Sequence, residues 1–268
     1  MLELKNVTLL QGKHRWLRKT TFEPMLSDIN LTLQRGELVA LVGGSGEGKS
    51  LLLQSLLGLL PDAISAQGRI LLDGHDVPHE RLHELRGRVL GYIPQSVSAL
   101  NPLIKTGRQI QRAAGLSGDM PCNDEIVERL KRYRLSPDLL NRYPLSLSGG
   151  MAKRVLVSCA TLSQSRFILA DEITAWLDER HAEVLMGHLK TLCEEGRGVL
   201  WVTHDLHLAS RYADRIAVLH QGELKETLCA RQLRSGGGSP WIQSLWRSLP
   251  EFDFFNEPKD NAVHAANA

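Results

Sequence analysis

A glycine-rich run that ends in a lysine and a serine is the clearest chemical signal in the sequence. It fits the spacing GxxxxGK[ST] and consists of Gly43, Gly44, Ser45, Gly46, Glu47, Gly48, Lys49 and Ser50, with Leu51 directly after it. Glycines let backbone N–H groups turn inward around an anion, and a helix that follows adds its partly positive N-terminus. An apolar strand pattern precedes the run and a helical pattern follows it, so we predict a loop that binds nucleotide phosphates. Lys49 is expected to contact the β and γ phosphates, and Ser50 is expected to contact Mg²⁺.

Two adjacent carboxylates, Asp171 and Glu172, follow the apolar run of residues 167–170. By itself, an acidic pair at a strand end is more often a helix cap or a surface pair. In a chain that already has a phosphate-binding loop, the pair predicts catalytic chemistry. Asp171 would hold the magnesium ion, directly or through water, and Glu172 would polarise the attacking water.

A second glycine-rich turn, residues 147–151, precedes a helical pattern over residues 152–157. A Ser-Gly-Gly turn alone is an ordinary loop, but at a helix N-terminus it suits a γ-phosphate. A nucleotide that is bound by the first loop already has a phosphate-binding loop and does not need a second one from the same chain. Two such turns in one chain therefore predict a nucleotide that is bound between two chains.

The sequence Leu147-Ser148-Gly149-Gly150-Met151 resembles the signature loop of the ATP-binding cassette family. The resemblance extends over residues 2–250, and it implies one cassette domain with an α/β fold. That fold has a P-loop NTPase core with a mixed sheet and an inserted α-helical subdomain, here roughly residues 97–160. The resemblance further implies ATPase activity with ATP and Mg²⁺, in a head-to-tail dimer where the partner's ATP contacts Ser148, Gly149 and Gly150.

Three shorter matches belong to the same resemblance. Gln95 resembles the family's glutamine loop, which ligates magnesium and senses the membrane subunit. His204 resembles the switch histidine that contacts the γ-phosphate, although a lone histidine after a strand is more often structural. Asp178 falls where the family has its dimer-contact loop. The catalytic residues that the resemblance implies are Lys49, Glu172 and His204, and the magnesium ligands are Ser50, Gln95 and Asp171.

Two regions depart from the family pattern. Ile173 and Trp176 stand in the loop before Asp178, where relatives have Pro-Thr-Thr/Ser-Ala-Leu-Asp, and this bears on the geometry of the dimer interface. The family also has an aromatic residue after the first strand that stacks on adenine, but Leu9, Leu10 and Gln11 occupy that stretch. Trp16 or Phe22 could replace it, or either could pack within its own loop.

Other features resemble the peptide and nickel importer branch, namely residues 98–102 and the ending at residues 239–250. Oligopeptide relatives often carry a later cysteine-rich extension, and no cysteine follows Cys229, which favours nickel or metal-chelate import over peptide import. The branch implies two integral-membrane permease subunits and a periplasmic or extracellular substrate-binding protein. It also implies a second cassette, with a heterodimer favoured over a homodimer. We therefore expect the chain on the cytoplasmic face of the inner membrane, bound through the permeases.

Composition narrows the function classes further. The 268 residues are 43% hydrophobic and carry a formal net charge of +2, so we predict no broad basic face and no nucleic-acid partner. The longest apolar stretch, residues 51–60, is too short for a bilayer crossing of about 20 residues, and the first residues show no secretory signal.

Of two alternatives to an ATP-hydrolysing transport subunit, the sequence excludes one and leaves the other open. A DNA-repair or chromosome-organising cassette ATPase would need a long coiled coil between residues 50 and 148, and that interval is too short. A regulatory subunit that binds ATP but hydrolyses it weakly stays open because of the altered loop at Trp176.

Periodicity in the sequence predicts the strands and helices that carry these residues. Strand patterns occupy residues 2–5, 29–33, 37–42, 68–72, 167–170, 198–202 and 216–219. A helix is predicted over residues 51–59, a charged helical region lies between residues 102 and 143, and a short helix falls near residues 240–248. Basic residues interrupt the strand pattern over residues 11–23 and predict a solvated hairpin tip, and residues 251–268 form a polar tail that we predict to be disordered.

Overall fold

The computed structural model describes residues 1–13, 21–116, 118, 122–175 and 177–248. The ten strands of this part are β1 (Leu2–Lys13), β2 (Thr21–Leu33), β3 (Leu38–Val42), β4 (Ile64–Leu72), β5 (His75–Val77), β6 (Leu90–Ile93), β7 (Phe167–Asp171), β8 (Gly198–Thr203), β9 (Arg215–His220) and β10 (Glu223–Cys229). The eight α-helices are α1 (Lys49–Leu56), α2 (Thr106–Gly115), α3 (Asn123–Arg132), α4 (Gly149–Leu162), α5 (Glu179–Glu194), α6 (Leu206–Tyr212), α7 (Ala230–Arg234) and α8 (Pro240–Arg247).

The larger sheet has six strands in the order β10-β9-β3-β8-β7-β6. Five of them run parallel, and only β10 pairs antiparallel, with β9. Every residue of β3, β7 and β8 is buried, as expected for parallel strands that are covered on both faces. The register sets Val42 beside Thr203 and Asp171 beside Val202, so three strands end at one edge of the sheet.

The smaller sheet is antiparallel and has the order β2-β1-β4-β5. Alternate residues of β3 divide between two apolar clusters because successive side chains of a strand point to opposite faces. Val39 and Leu41 pack with α1 and the antiparallel sheet, whereas Leu38, Ala40 and Val42 pack with the helical side. The predicted mixed α/β architecture is therefore the one observed.

Helices α2 and α3 both pack against α4, and they contribute Ile110, Ile126 and Leu130 to the cluster on the helical side. These three helices lie between Thr106 and Leu162. The bounds of a helical subdomain, residues 97–160, stay a prediction. Among the described helices, none has the length and apolar character that crossing a bilayer requires.

Several predicted boundaries were wrong, by up to eight residues at the end of β1 and the start of β2. The strands β1 and β2 extend into the basic segment, with Gly12 opposite Phe22, because backbone pairing in a hairpin continues without apolar side chains. Helix α1 begins earlier than predicted, at Lys49, and it ends at Leu56 before Gly58, whose φ of 60° suits a helix C-terminus. Residues 14–20 and the predicted disordered tail, 251–268, lie outside the described residues.

The packing of α1 against the sheet gives a stability prediction. Leu53 is fully buried in the cluster beneath α1, and Leu59, just beyond that helix, is 46% exposed. Leu53→Ala should lower the free energy of unfolding by about 2–5 kcal/mol, because a cavity replaces its side chain. The matched change Leu59→Ala should alter it by no more than about 0.5 kcal/mol in the same urea titration. Equal losses from both variants would contradict this account of the core.

Candidate active site

The loop between β3 and α1 is shaped by glycines. Gly46 and Gly48 have φ values of 81° and 90°, in the left-handed region that residues with a Cβ rarely adopt. A Cβ on Gly48 would lie 2.9 Å from Leu26 Cδ2, and one on Gly43 would lie 2.6 Å from the carbonyl oxygen of Leu219. Both conformation and close approach therefore require glycine here, which is the reason that the loop can wrap around an anion.

Lys49 is the first residue of α1, and its side chain folds back over the loop. Its Nζ donates to the carbonyl oxygens of Gly43 at 2.9 Å and Gly44 at 2.7 Å. Burial lowers the pKa of Lys49, while the charges of Glu172, Glu47 and Asp171 oppose that change, in this order. The buried Lys49 therefore lies close enough to three acidic side chains for their charges to favour its charged form.

Asp171 is the last residue of β7, and only 3% of it is exposed. One carboxylate oxygen accepts from Ser50 Oγ at 2.9 Å and the other from the Tyr92 hydroxyl at 3.3 Å. Burial raises the pKa of Asp171, and the hydrogen bonds from Ser50 and Tyr92 lower it. Burial and the neighbouring Asp171 also raise the pKa of Tyr92.

Glu172 follows in a left-handed backbone conformation, with φ at 42°. Its N–H donates to the carbonyl of Val202 at 3.0 Å, which fixes it beside the end of β8. Its carboxylate accepts from Gln95 Nε2 at 2.7 Å and lies 3.7 Å from His204 Nδ1. A non-glycine residue held at positive φ is often found where strain serves a function.

The register of the sheet explains why Gln95 reaches Glu172. β6 pairs with β7 so that Ile93 lies beside Ala170, and both chains leave the sheet at the same edge. His204 leaves β8 at that edge too, and its side chain is 63% exposed. The structure thus brings together Lys49, Ser50, Gln95, Asp171, Glu172 and His204.

The donor atoms at this edge suit a hard cation only in combination with another ligand. Among the described residues, no group of three or more His, Cys, Asp or Glu side chains could hold a metal ion alone. Ser50 and Asp171 place two oxygen donors 2.9 Å apart, and the Gln95 side-chain amide carries a third oxygen. Mg²⁺ is usually bound by one or two carboxylates together with substrate phosphates, so this donor set fits it.

The second glycine turn lies on a different helix. Ser148 caps the N-terminus of α4 and accepts from the N–H of Met151 at 3.3 Å. A Cβ on Gly149 or Gly150 would have nothing within 4 Å. α4 packs against α2, α3, α5 and β6, whereas α1 packs against β7. The open N-terminus of α4 can therefore accept an anion without displacing other parts of the chain.

Asp178 has a local structural role in addition to the one predicted for it. It caps α5, and its carboxylate accepts from the backbone N–H of His181 at 2.9 Å and contacts the His181 ring. The His181 backbone N–H, followed by its side chain, lowers the pKa of Asp178. Contact with a dimer partner stays a prediction, and Trp176 lies outside the described residues.

The adenine contact also stays a prediction. Phe22 is on β2 and is 59% exposed, which leaves its ring accessible. Trp16, the other candidate, lies outside the described residues.

Three side chains near this edge were not assigned from the sequence. Tyr92 contacts Asp171, and Lys153 of α4 is buried beside the Gln95 loop, where burial lowers its pKa to about 8. His220 lies 3.2 Å from Glu47 through Nδ1. Lys153 could have been identified from the sequence, because a lysine among the apolar positions of a buried helix is unusual. His220 could have been identified because it ends a parallel strand, where ligands of such sheets bind.

Known proteins resemble this chain in family, sequence and structure. The family model described as ABC transporter matches residues 26–175. The oligopeptide transport ATP-binding protein OppD of Lactococcus lactis subsp. cremoris is 35% identical over 240 residues, covering 85% of this chain and 71% of the relative. The metal-staphylopine import system ATP-binding protein CntD of Staphylococcus aureus is 30% identical over 231 residues, covering 82% of this chain and 85% of the relative.

A solved structure is similar over most of the chain. It is the dimeric structure of a post-hydrolysis state of the ATP-binding cassette MJ0796 bound to ADP and Pi. It is 29% identical with a TM-score of 0.74, and the match covers 86% of this chain and 99% of that one.

The two glycine turns should respond differently to the same substitution. Gly48→Ala puts a Cβ at φ 90° and 2.9 Å from Leu26, so it should lower the free energy of unfolding by about 1–3 kcal/mol. Gly150→Ala meets nothing within 4 Å, and because alanine favours a helix, the free energy should be unchanged or up to about 1 kcal/mol higher. Urea unfolding of both variants measures this, and a larger loss from Gly150→Ala would contradict the geometry.

Proposed function

Because this chain belongs to the ABC transporter family, as an ATPase cassette, we propose that it hydrolyses ATP to drive an importer whose membrane permeases are separate subunits. One observation carries the proposal: the phosphate loop, the Asp171-Glu172 pair, Gln95 and His204 meet at a single edge of the parallel sheet. Ligands of such sheets bind at the carboxyl ends of the strands, where these residues lie.

The triphosphate of ATP would occupy the concave side of the loop formed by residues 43–50. Its oxygens would replace the carbonyls of Gly43 and Gly44 as acceptors for Lys49 Nζ, which already points into the loop. The N-terminus of α1 adds favourable backbone N–H groups and the helix dipole. Leu51, in the first turn of α1, belongs to the same nucleotide-binding segment.

Ser50, Asp171 and Gln95 would supply the protein oxygens for Mg²⁺. The hydrogen bond from Ser50 to Asp171 holds the first two donors side by side, and Tyr92 fixes the second oxygen of Asp171. When bound, the ion neutralises the charge that develops on the phosphate oxygens.

Hydrolysis would then depend on three side chains beside the γ-phosphate. Glu172 orients and polarises the attacking water, and Gln95 holds its carboxylate in place through the 2.7 Å hydrogen bond. His204 approaches the same carboxylate and would contact the γ-phosphate. Phosphoryl transfer is accelerated mainly by positioning and electrostatics, which this arrangement can supply.

The second glycine turn would complete the active site of another chain. Ser148, Gly149 and Gly150 form an open helix N-terminus that would contact ATP bound to a partner cassette, with Asp178 near the dimer contact. The similarity to a dimeric cassette structure supports this arrangement. A heterodimer with a sibling cassette is the form that we propose, with a homodimer as the alternative.

Import is supported by the names of the relatives, which are import or transport ATP-binding proteins for oligopeptides, glutathione and a metal chelate. We propose a metal chelate, such as a nickel chelate, or a peptide as the cargo. The assembly would include two permeases and an extracellular or periplasmic substrate-binding protein, with this chain on the cytoplasmic face of the membrane.

Glu172→Gln should lower the ATP turnover rate about 10²–10⁴-fold, because the neutral amide cannot act as a base. ATP affinity should be retained, since the phosphate loop is unchanged. The rate of phosphate release and the binding of a fluorescent ATP analogue test the two parts separately.

Glu84→Gln serves as the control, because Glu84 is exposed and pairs only with Arg81 among the contacts described. It should hydrolyse ATP at the wild-type rate. Normal turnover by Glu172→Gln would refute the catalytic assignment, and a wild-type chain that binds ATP but hardly hydrolyses it would favour a regulatory subunit.

A further inference from the structure

Lys153 is a buried cation that the proposed site does not use. It lies on α4 and is only 4% exposed. Its Nζ donates to two consecutive carbonyl oxygens, those of Pro94, at 3.1 Å, and Gln95. A buried ammonium group is unfavourable unless its donors are satisfied, so the contact fixes this loop against α4.

The same loop holds the side chain that orients Glu172. Gln95 accepts from Lys153 through its backbone and donates to Glu172 through its side chain. Lys153 also lies in the same helix as the turn that begins at Ser148, five residues away, or about 7.5 Å along a rigid helix. A continuous set of contacts therefore runs from that turn to Glu172.

The acidic pair favours the charged form of Lys153. Burial lowers the pKa of Lys153 to about 8, and the charges of Asp171 and Glu172 oppose that change. The ammonium group therefore interacts with the acidic residues through space and with Gln95 through a hydrogen bond. Neither interaction is needed to cap α4, which Ser148 does.

We propose that Lys153 is a positioning residue that couples the turn at the start of α4 to Gln95 and Glu172. In the proposed dimer, the turn contacts the nucleotide of one site, whereas Glu172 acts on the nucleotide of the other. Movement of α4 when its turn binds a nucleotide would shift the Gln95 loop and thereby align Glu172. This inference rests on the proposed function and adds communication between the two sites.

The test compares Lys153→Met, which keeps the apolar stem but has no donor, with Lys153→Gln, whose amide can still donate. In the assembly that copurifies with the full chain, Lys153→Met should lower kcat for ATP about 10- to 100-fold through misplacement of Glu172. The KM for ATP should stay close to the wild-type value, because Lys49 and its loop are untouched. Lys153→Gln should restore most of kcat.

A second readout is independent of activity. Hydrogen–deuterium exchange of residues 94–100 in the nucleotide-free chain should become faster in Lys153→Met and return towards wild type in Lys153→Gln. Arg197→Met is the matched control, because Arg197 donates to two carbonyls at the other end of α4, those of Thr161 and Ser163. It should leave kcat and this exchange unchanged even if it lowers stability.

Each negative result has a distinct meaning. Wild-type kcat and exchange in Lys153→Met, or an equal loss of kcat in Arg197→Met, would overturn the role of Lys153. A wild-type assembly without ATP hydrolysis would overturn the proposed function instead, and the exchange experiment would still show whether Lys153 holds the Gln95 loop.

Discussion

The level carboxyl ends of β3, β8 and β7 are the constraint on which the site depends. Backbone pairing sets Val42 beside Thr203 and Asp171 beside Val202, so the loops that follow leave the sheet together. If one of these strands slipped by two residues, its side chains would move about 7 Å away from those on the neighbouring strands, because each residue adds about 3.3 Å. The chemistry at this edge therefore rests on hydrogen bonds between buried strands.

Charge balance is the second requirement of this edge. Asp171, Lys49 and Lys153 are almost completely buried. Burial makes the attraction between each lysine and Asp171 stronger than it would be in water. The charges of Asp171 and Glu172 favour the charged form of both lysines, one at the end of the phosphate loop and one on α4. A triphosphate bound beside Lys49, as proposed, would add negative charge there, which backbone N–H groups and a divalent cation would offset.

Local motifs made the central part of the site predictable. The loop of residues 43–50 and the pair Asp171 and Glu172 each combine a residue pattern with a strand end, and the resemblance to the cassette family implied the fold class. The contacts of Tyr92 and Lys153 could not be predicted in this way. They depend on how β6 pairs with β7 and how α4 packs against β6, which brings together residues that are 79 and 59 positions apart in sequence.

Boundaries were less predictable than elements for a similar reason. β1 and β2 continue through polar residues because their backbones pair, a property that side-chain periodicity does not record. The capping of α5 by Asp178 was also missed, although an aspartate before a helical pattern is a usual N-cap.

The central claim is that the turn at Ser148 acts on a nucleotide held by another cassette. A structure of the complete assembly with Mg²⁺ and a non-hydrolysable ATP analogue tests it most directly. We expect Ser148 Oγ and the Gly150 N–H within hydrogen-bond distance of a γ-phosphate whose other contacts come from the partner cassette. Contact of both glycine turns of one chain with the same nucleotide would contradict the claim.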